Sequence, residues 1–95
     1  MNFIYIIKPV KNNFLETMTA EDAKIMSEHA GYLISMLEKG KLILAGPALN
    51  AKFGIAILET ESEEEAYNIM INDPAVSNKV MNAELNPFRI SFARK

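Results

Sequence analysis

Two side chains in this sequence have the right types for proton-transfer chemistry: His29, the only histidine, and Asp73, which stands directly before Pro74. An imidazole paired with a carboxylate can act as a general base, the acid orienting the ring and stabilising the imidazolium that forms. Taken one at a time, each residue has a plainer reading first. His29 lies on the helical row Ile25, His29, Tyr32, Met36, beside the main apolar face. That puts it at the border of a core, where a histidine commonly donates to one partner. Asp73 follows a helical stretch, and a carboxylate at a helix C-terminus opposes the dipole by about 0.3–1 kcal/mol. Such a departure from local rules can mark a site. Asp before Pro is also a good N-cap and first position for a new helix. Tyr32, one turn beyond His29, either shares its site or packs. Gly46-Pro47 would let a ligand approach the backbone closely.

Other chemistries lack their residues. The chain has no cysteine, which removes thiol catalysis, disulfides and zinc–thiolate sites and fits a reducing compartment. One histidine without cysteine leaves no clustered transition-metal ligands. No glycine-rich phosphate loop follows a strand, and no serine sits in a nucleophile elbow. A net charge of −2 and a pI near 5.4 argue against nucleic acid as a partner. Arg89, Arg94 and Lys95 read as a solvated strand and tail. No run approaches the ~20 apolar residues of a membrane span, and the N-terminal apolar run reads as a strand without the marks of a signal peptide. The expectation is a cytoplasmic protein. Its 95 residues, 49% hydrophobic and 23% charged, suit one globular domain spanning 1–95.

The elements that must position these residues follow from periodicity and punctuation. Phe3 to Ile7 is a short aliphatic and aromatic strand ended by Pro9. Asn12 and Asn13 open a loop. Thr19 caps a helix whose first turn carries Glu21 and Asp22, and Gly40 stops it. Its apolar face is predicted at Ala23, Met26, Ala30, Leu33 and Leu37. Lys41 to Leu49 is a second strand, and Pro47 makes it an edge strand or a bulged one. Gly54 to Thr60 is a third. Ser62 and Glu65 form a capping box for a helix to about Asn72, with Ala66, Ile69 and Met70 inward. A short turn of helix follows Asp73-Pro74, through Ser77. Glu84 to Ala93 is the fourth strand, with Phe88, Ile90 and Phe92 alternating against polar neighbours.

The order βαββαβ predicts an α+β, ferredoxin-like sandwich: a four-stranded antiparallel sheet, strands 1 and 3 central, with both helices on one face. Both faces of the central strands are apolar, since Ile4 and Ile6 alternate with Phe3, Tyr5 and Ile7. Helices cover only one face, so the other needs a partner, and a homodimer through sheet faces is expected; the plainer alternative is a small monomer whose buried strands are over-filled with aliphatics. The helices start at one end of the sheet and run the same way. His29 lies about 15 Å along the first, and Asp73 about 16 Å beyond Ser62 on the second. The two should therefore come level.

With these residues in place the chain resembles the YciI-like (YCII-related domain) family. The resemblance rests on His29 with Leu33, Gly40, Ala45-Gly46-Pro47, Ser62 with Ala66, Asp73-Pro74 and Pro87-Phe88. Two positions depart from the pattern: Ala75 stands where an aromatic is usual, and Asn78-Lys79 where a glycine is. The resemblance implies a dimeric α+β barrel, with His29 and Asp73 as its active-site pair. It also implies a small enzyme of the isomerase or dehydrochlorinase type, without cofactor, acting on a small carbonyl or lactone compound. In that reading His29 takes the proton, Asp73 orients it, and Tyr32 or backbone N–H groups near Gly46 and Pro47 polarise the carbonyl. The alternatives are a non-enzymatic module that binds a small ligand, and a haem binder with His29 as axial ligand.

Overall fold

The computed structural model describes residues 1–94, so Lys95 of the basic tail lies outside it. Its elements are β1 (Asn2–Pro9), α1 (Phe14–Thr17), α2 (Ala20–Glu38), β2 (Leu42–Pro47), β3 (Gly54–Glu59), α3 (Glu63–Ile71), α4 (Pro74–Ser77) and β4 (Met81–Phe88). The sheet order is β2-β3-β1-β4, with every neighbouring pair antiparallel. This is the expected α+β arrangement, with strands 1 and 3 central and Pro47 on an edge strand, where its missing N–H costs no ladder bond.

The caps form as the sequence suggests, with two refinements. Thr19 Oγ1 accepts from the Asp22 amide at 3.0 Å, and Asp22 returns the favour at the Thr19 N–H at 3.1 Å. The same carboxylate receives Lys11 Nζ at 2.6 Å; this hydrogen bond is the main reason its pKa is lowered. Ser62 caps α3 at the Glu65 amide, but Glu65 reaches back to the Glu61 N–H, one residue earlier than a regular box. A single helical turn at Phe14–Thr17, not foreseen, anchors buried Phe14 under the left-handed Asn13.

Phe3, Tyr5 and Ile7 point to the helix side and form the core with Leu58, Ala56, Ile25, Ala66 and Met70. The opposite face carries Ile4, Ile6, Ile55 and Ile57 in register, and no helix covers it. Only Ile57 of these four is buried; the other three are half-buried.

Two expectations are corrected. The fourth strand is Met81–Phe88, not Glu84–Ala93. β1 offers partners only from Pro9, opposite Met81, to Asn2, opposite Phe88, so Ile90 and Phe92 run past the end of the ladder. The apolar face of α2 also differs. The buried positions are Asp22, Ile25 and Met36, on the row that holds His29, while Ala23, Ala30 and Leu37 are exposed. The reason at Ala30 and Leu37 is an unfilled space between α2 and the β2 edge, which both line.

Candidate active site

His29 sits midway along α2 on its buried row. Asp73 follows α3 and caps α4, its Oδ1 accepting from the Ala75 amide at 2.9 Å. α2 packs against α4, and His29 Nδ1 lies 2.7 Å from Asp73 Oδ1 and 2.9 Å from Oδ2. The rise-per-residue estimate therefore placed the pair correctly in level, and the fold turns them toward each other. Asp73 caps α4 and meets His29 at once, because one carboxylate has enough lone pairs for both contacts.

A third residue completes the network. The Tyr5 hydroxyl donates to Asp73 Oδ2 at 2.8 Å. Tyr5 and Asp73 are both fully buried. Burial first, and then the charge and hydrogen bond of Asp73, push the Tyr5 pKa far up, so this group stays a donor. Sequence reading missed Tyr5 because its partner is 68 residues away and a tyrosine on a core strand face looks like packing. The only signal available was a polar hydroxyl at a position that had to be buried.

The donors fix the tautomer. Asp73 accepts from the Ala75 N–H and the Tyr5 O–H, and it accepts from His29 as well, so Nδ1 carries the proton and Nε2 keeps its lone pair. Among the described residues every buried side-chain nitrogen or oxygen has a partner. Nε2 has none among the hydrogen bonds His29 makes, so it reaches open space. His29 also lines a cavity of about 450 Å³, together with Tyr5, Met26, Leu33, Ala45 and Phe53. No Lys, Arg, Asp or Glu lines it. The exposed face of α2 is its wall: Ala30, Leu33 and Leu37 look like core in the sequence because an apolar cavity demands the same residues.

The other named residues divide. Gly46 and Pro47 border the cavity. Tyr32 does not. Its hydroxyl donates to the Ile69 carbonyl at 2.7 Å, and its ring faces a separate groove with Ser62 and Asn68. Burial first, then the Asp73 charge, raises its pKa. Among the described residues no group of three or more His, Cys, Asp or Glu is arranged to hold a metal ion, and no helix is long and apolar enough to cross a membrane.

The register refines how Gly46 contributes. Ala45 pairs with Ala56, which pairs with inward Tyr5, whereas Gly46 pairs with Ile55, which pairs with outward Ile6. Cross-strand partners share a face, so Gly46 shows the cavity its backbone only, and an added Cβ there meets nothing within 4 Å. Gly46→Ala is therefore expected to leave binding of an apolar fluorescent dye within about twofold of wild type, while Ala45→Phe, aimed inward, weakens it about tenfold by filling the space. Fluorescence titration checks both. Loss in Gly46→Ala with none in Ala45→Phe would mean that the ligand lies against the outer face.

The sequence model of the YCII-related domain matches residues 1–89. No curated protein matches the chain. Among solved structures, the chain is similar to 5-chloro-2-hydroxyhydroquinone dehydrochlorinase (TftG) from Burkholderia phenoliruptrix AC1100, solved in complex with 2,5-dihydroxybenzoquinone. The TM-score is 0.73 and the identity 20%, over 94% of each chain. It is also similar to a protein from Agrobacterium tumefaciens, with a TM-score of 0.52 and 16% identity over 98% of this chain and 97% of that one. At these identities the likeness establishes a shared fold.

Proposed function

The chain belongs to the YCII-related domain family, and from that premise we propose that it is a small cofactor-independent enzyme in which His29 acts as general base on a carbonyl-containing ring or lactone. The observation that carries the reading is the free Nε2 lone pair at the wall of an apolar cavity, with Nδ1–H held by a buried, fully hydrogen-bonded carboxylate. A base so placed meets its substrate in a water-poor space, where charge interactions are stronger than in solution.

The step needs little else. Nε2 takes a proton from a carbon beside the carbonyl, and the C–H electron pair moves onto the oxygen as an enolate. Return of that pair with expulsion of chloride from the neighbouring carbon completes an elimination. Return with reprotonation at another carbon completes an isomerisation. The dehydrochlorinase with the similar fold supports the first outcome, as does the lack of any charged group in the cavity that would favour an ionic substrate. With Tyr32 engaged at Ile69, the group that polarises the carbonyl in this reading is the backbone near Gly46.

The reading includes a homodimer. Ile4, Ile6, Ile55 and Ile57 form one apolar surface on the face that no helix covers, and self-association through a two-fold axis is the economical way to remove such a surface from water.

The test is turnover on a panel of small lactones and chlorinated hydroxyquinones, followed by ultraviolet absorbance and chloride release. Wild type is expected to convert at least one. His29→Ala is expected to lower that rate by at least about a hundredfold while still binding an apolar dye. Undiminished turnover in His29→Ala removes the base. Ligand capture without any turnover across the panel favours the non-enzymatic module.

A further inference from the structure

Tyr5 is the member of the network that no motif and no comparison assigns. We propose that Tyr5 is the positioning residue of this site, its buried hydroxyl keeping the negative charge on Asp73 whenever His29 carries a second proton. The proposal rests on the reading of His29 as base and adds to it the group that holds its partner in the ionised form.

The argument starts from the isolation of Asp73. A fully buried carboxylate tends to take up a proton unless hydrogen bonds favour its charged form. The structure supplies two donors from fixed groups: the Ala75 N–H at 2.9 Å and the Tyr5 O–H at 2.8 Å. Among the described residues no Lys or Arg forms an ion pair with Asp73, whose one such partner is His29, and the neighbouring Tyr32 hydroxyl donates elsewhere. The third donor is His29 itself.

When the ring gains a proton at Nε2, the Nδ1 proton has two places to rest. It stays on nitrogen, giving imidazolium beside carboxylate. Alternatively the Nδ1–H bond breaks, an O–H bond forms on Asp73, and neutral imidazole is left with its proton at Nε2. The heavy atoms are 2.7 Å apart, so the transfer needs almost no movement. Each donor already aimed at Asp73 stabilises its anion and opposes the transfer. Ala75 is bound by the helix turn and cannot leave. Tyr5 has no second acceptor, and its ring is pinned in the core opposite Ala56 and Leu85. Removing its hydroxyl removes one of the two fixed donors and leaves the packing shape nearly unchanged.

The lone histidine makes the test direct. In ¹⁵N-labelled protein with the ring protonated, wild type is expected to show a full one-bond proton coupling at Nδ1. In Tyr5→Phe that coupling is expected to fall at least about twofold, as the proton is shared with Asp73. A folded Tyr5→Phe protein with unchanged coupling overturns the proposal and leaves Tyr5 as filler. If Tyr5→Phe does not fold, the wild-type protein decides. On raising the pH, tyrosinate absorbance should account for fewer than all three tyrosines until the chain unfolds, and ionisation of all three in the folded protein overturns the donor role. These readouts come from the resting protein. A failure here therefore leaves the base reading of His29 standing, and an inactive enzyme with the expected couplings sinks only that reading.

Discussion

Asp73→Asn is expected to reduce turnover by roughly 10⁴-fold, the scale seen when an orienting carboxylate is replaced by an amide that inverts the imidazole tautomer. The helix cap decides which way the new amide points. Ala75 N–H needs an acceptor at the position of Oδ1, so the amide oxygen takes that place and the NH₂ group replaces Oδ2. The NH₂ group then faces His29 Nδ1 and the Tyr5 hydroxyl. The amide oxygen stays 2.7 Å from Nδ1, but the NH₂ group at 2.9 Å competes for the Nδ1 lone pair; in the ring that accepts it the proton moves to Nε2, and the lone pair aimed at the cavity is lost. Tyr5 loses its acceptor too, and the stability cost is about 1–3 kcal/mol, or roughly 5–15 °C in melting temperature for a chain of this size. Steady-state kinetics on a converted panel substrate gives the first number, and thermal unfolding gives the second. An Asp73→Asn enzyme within about tenfold of wild type would detach Asp73 from the chemistry and leave it as the cap of α4.

The second large effect concerns assembly. Wild type is expected to scatter light as a particle of twice the 10.6 kDa chain mass at micromolar concentration, and Ile6→Lys as a single chain. Ile6 lies on the open face, opposite Ile55 on one side and Glu84 on the other. In a separated chain the new ammonium stands in water beside Glu84, so the fold survives. In a face-to-face dimer the same charge is buried, at several kcal/mol per ion. A two-fold interface buries it twice, so the dissociation constant should rise about a thousandfold or more. A wild-type monomer under these conditions would refute the packing argument, and a dimeric Ile6→Lys would move the interface to another surface.

The sequence by itself determined the element order, the antiparallel sheet with strands 1 and 3 inside, the edge position of Pro47 and the N-caps at Thr19 and Ser62. All of these are set by neighbours within a few residues or by rules that connect consecutive elements. It also determined that His29 and Asp73 would stand at one level, because a fixed rise per residue turns sequence distance into height. It held, too, the doubly apolar central strands, whose outer face the chain leaves without a helix.

What only the tertiary structure decided was direction and vacancy. Helical phase puts His29, Tyr32 and Ala30 within one turn of each other, yet His29 meets a carboxylate, Tyr32 turns to a carbonyl on α3, and Ala30 borders open space. A shift of a few tens of degrees in how α2 lies on the sheet separates these outcomes, and no local rule fixes that angle. Tyr5 joined the site because β1 carries its hydroxyl to Asp73, a meeting across 68 positions with no trace in its own neighbourhood. The fourth strand ended at Phe88 because β1 ran out of partners, although Ile90 and Phe92 alternate as a strand should. The residues lining the cavity passed for core, since periodicity records which side chains avoid water and not whether another side chain fills the space they face.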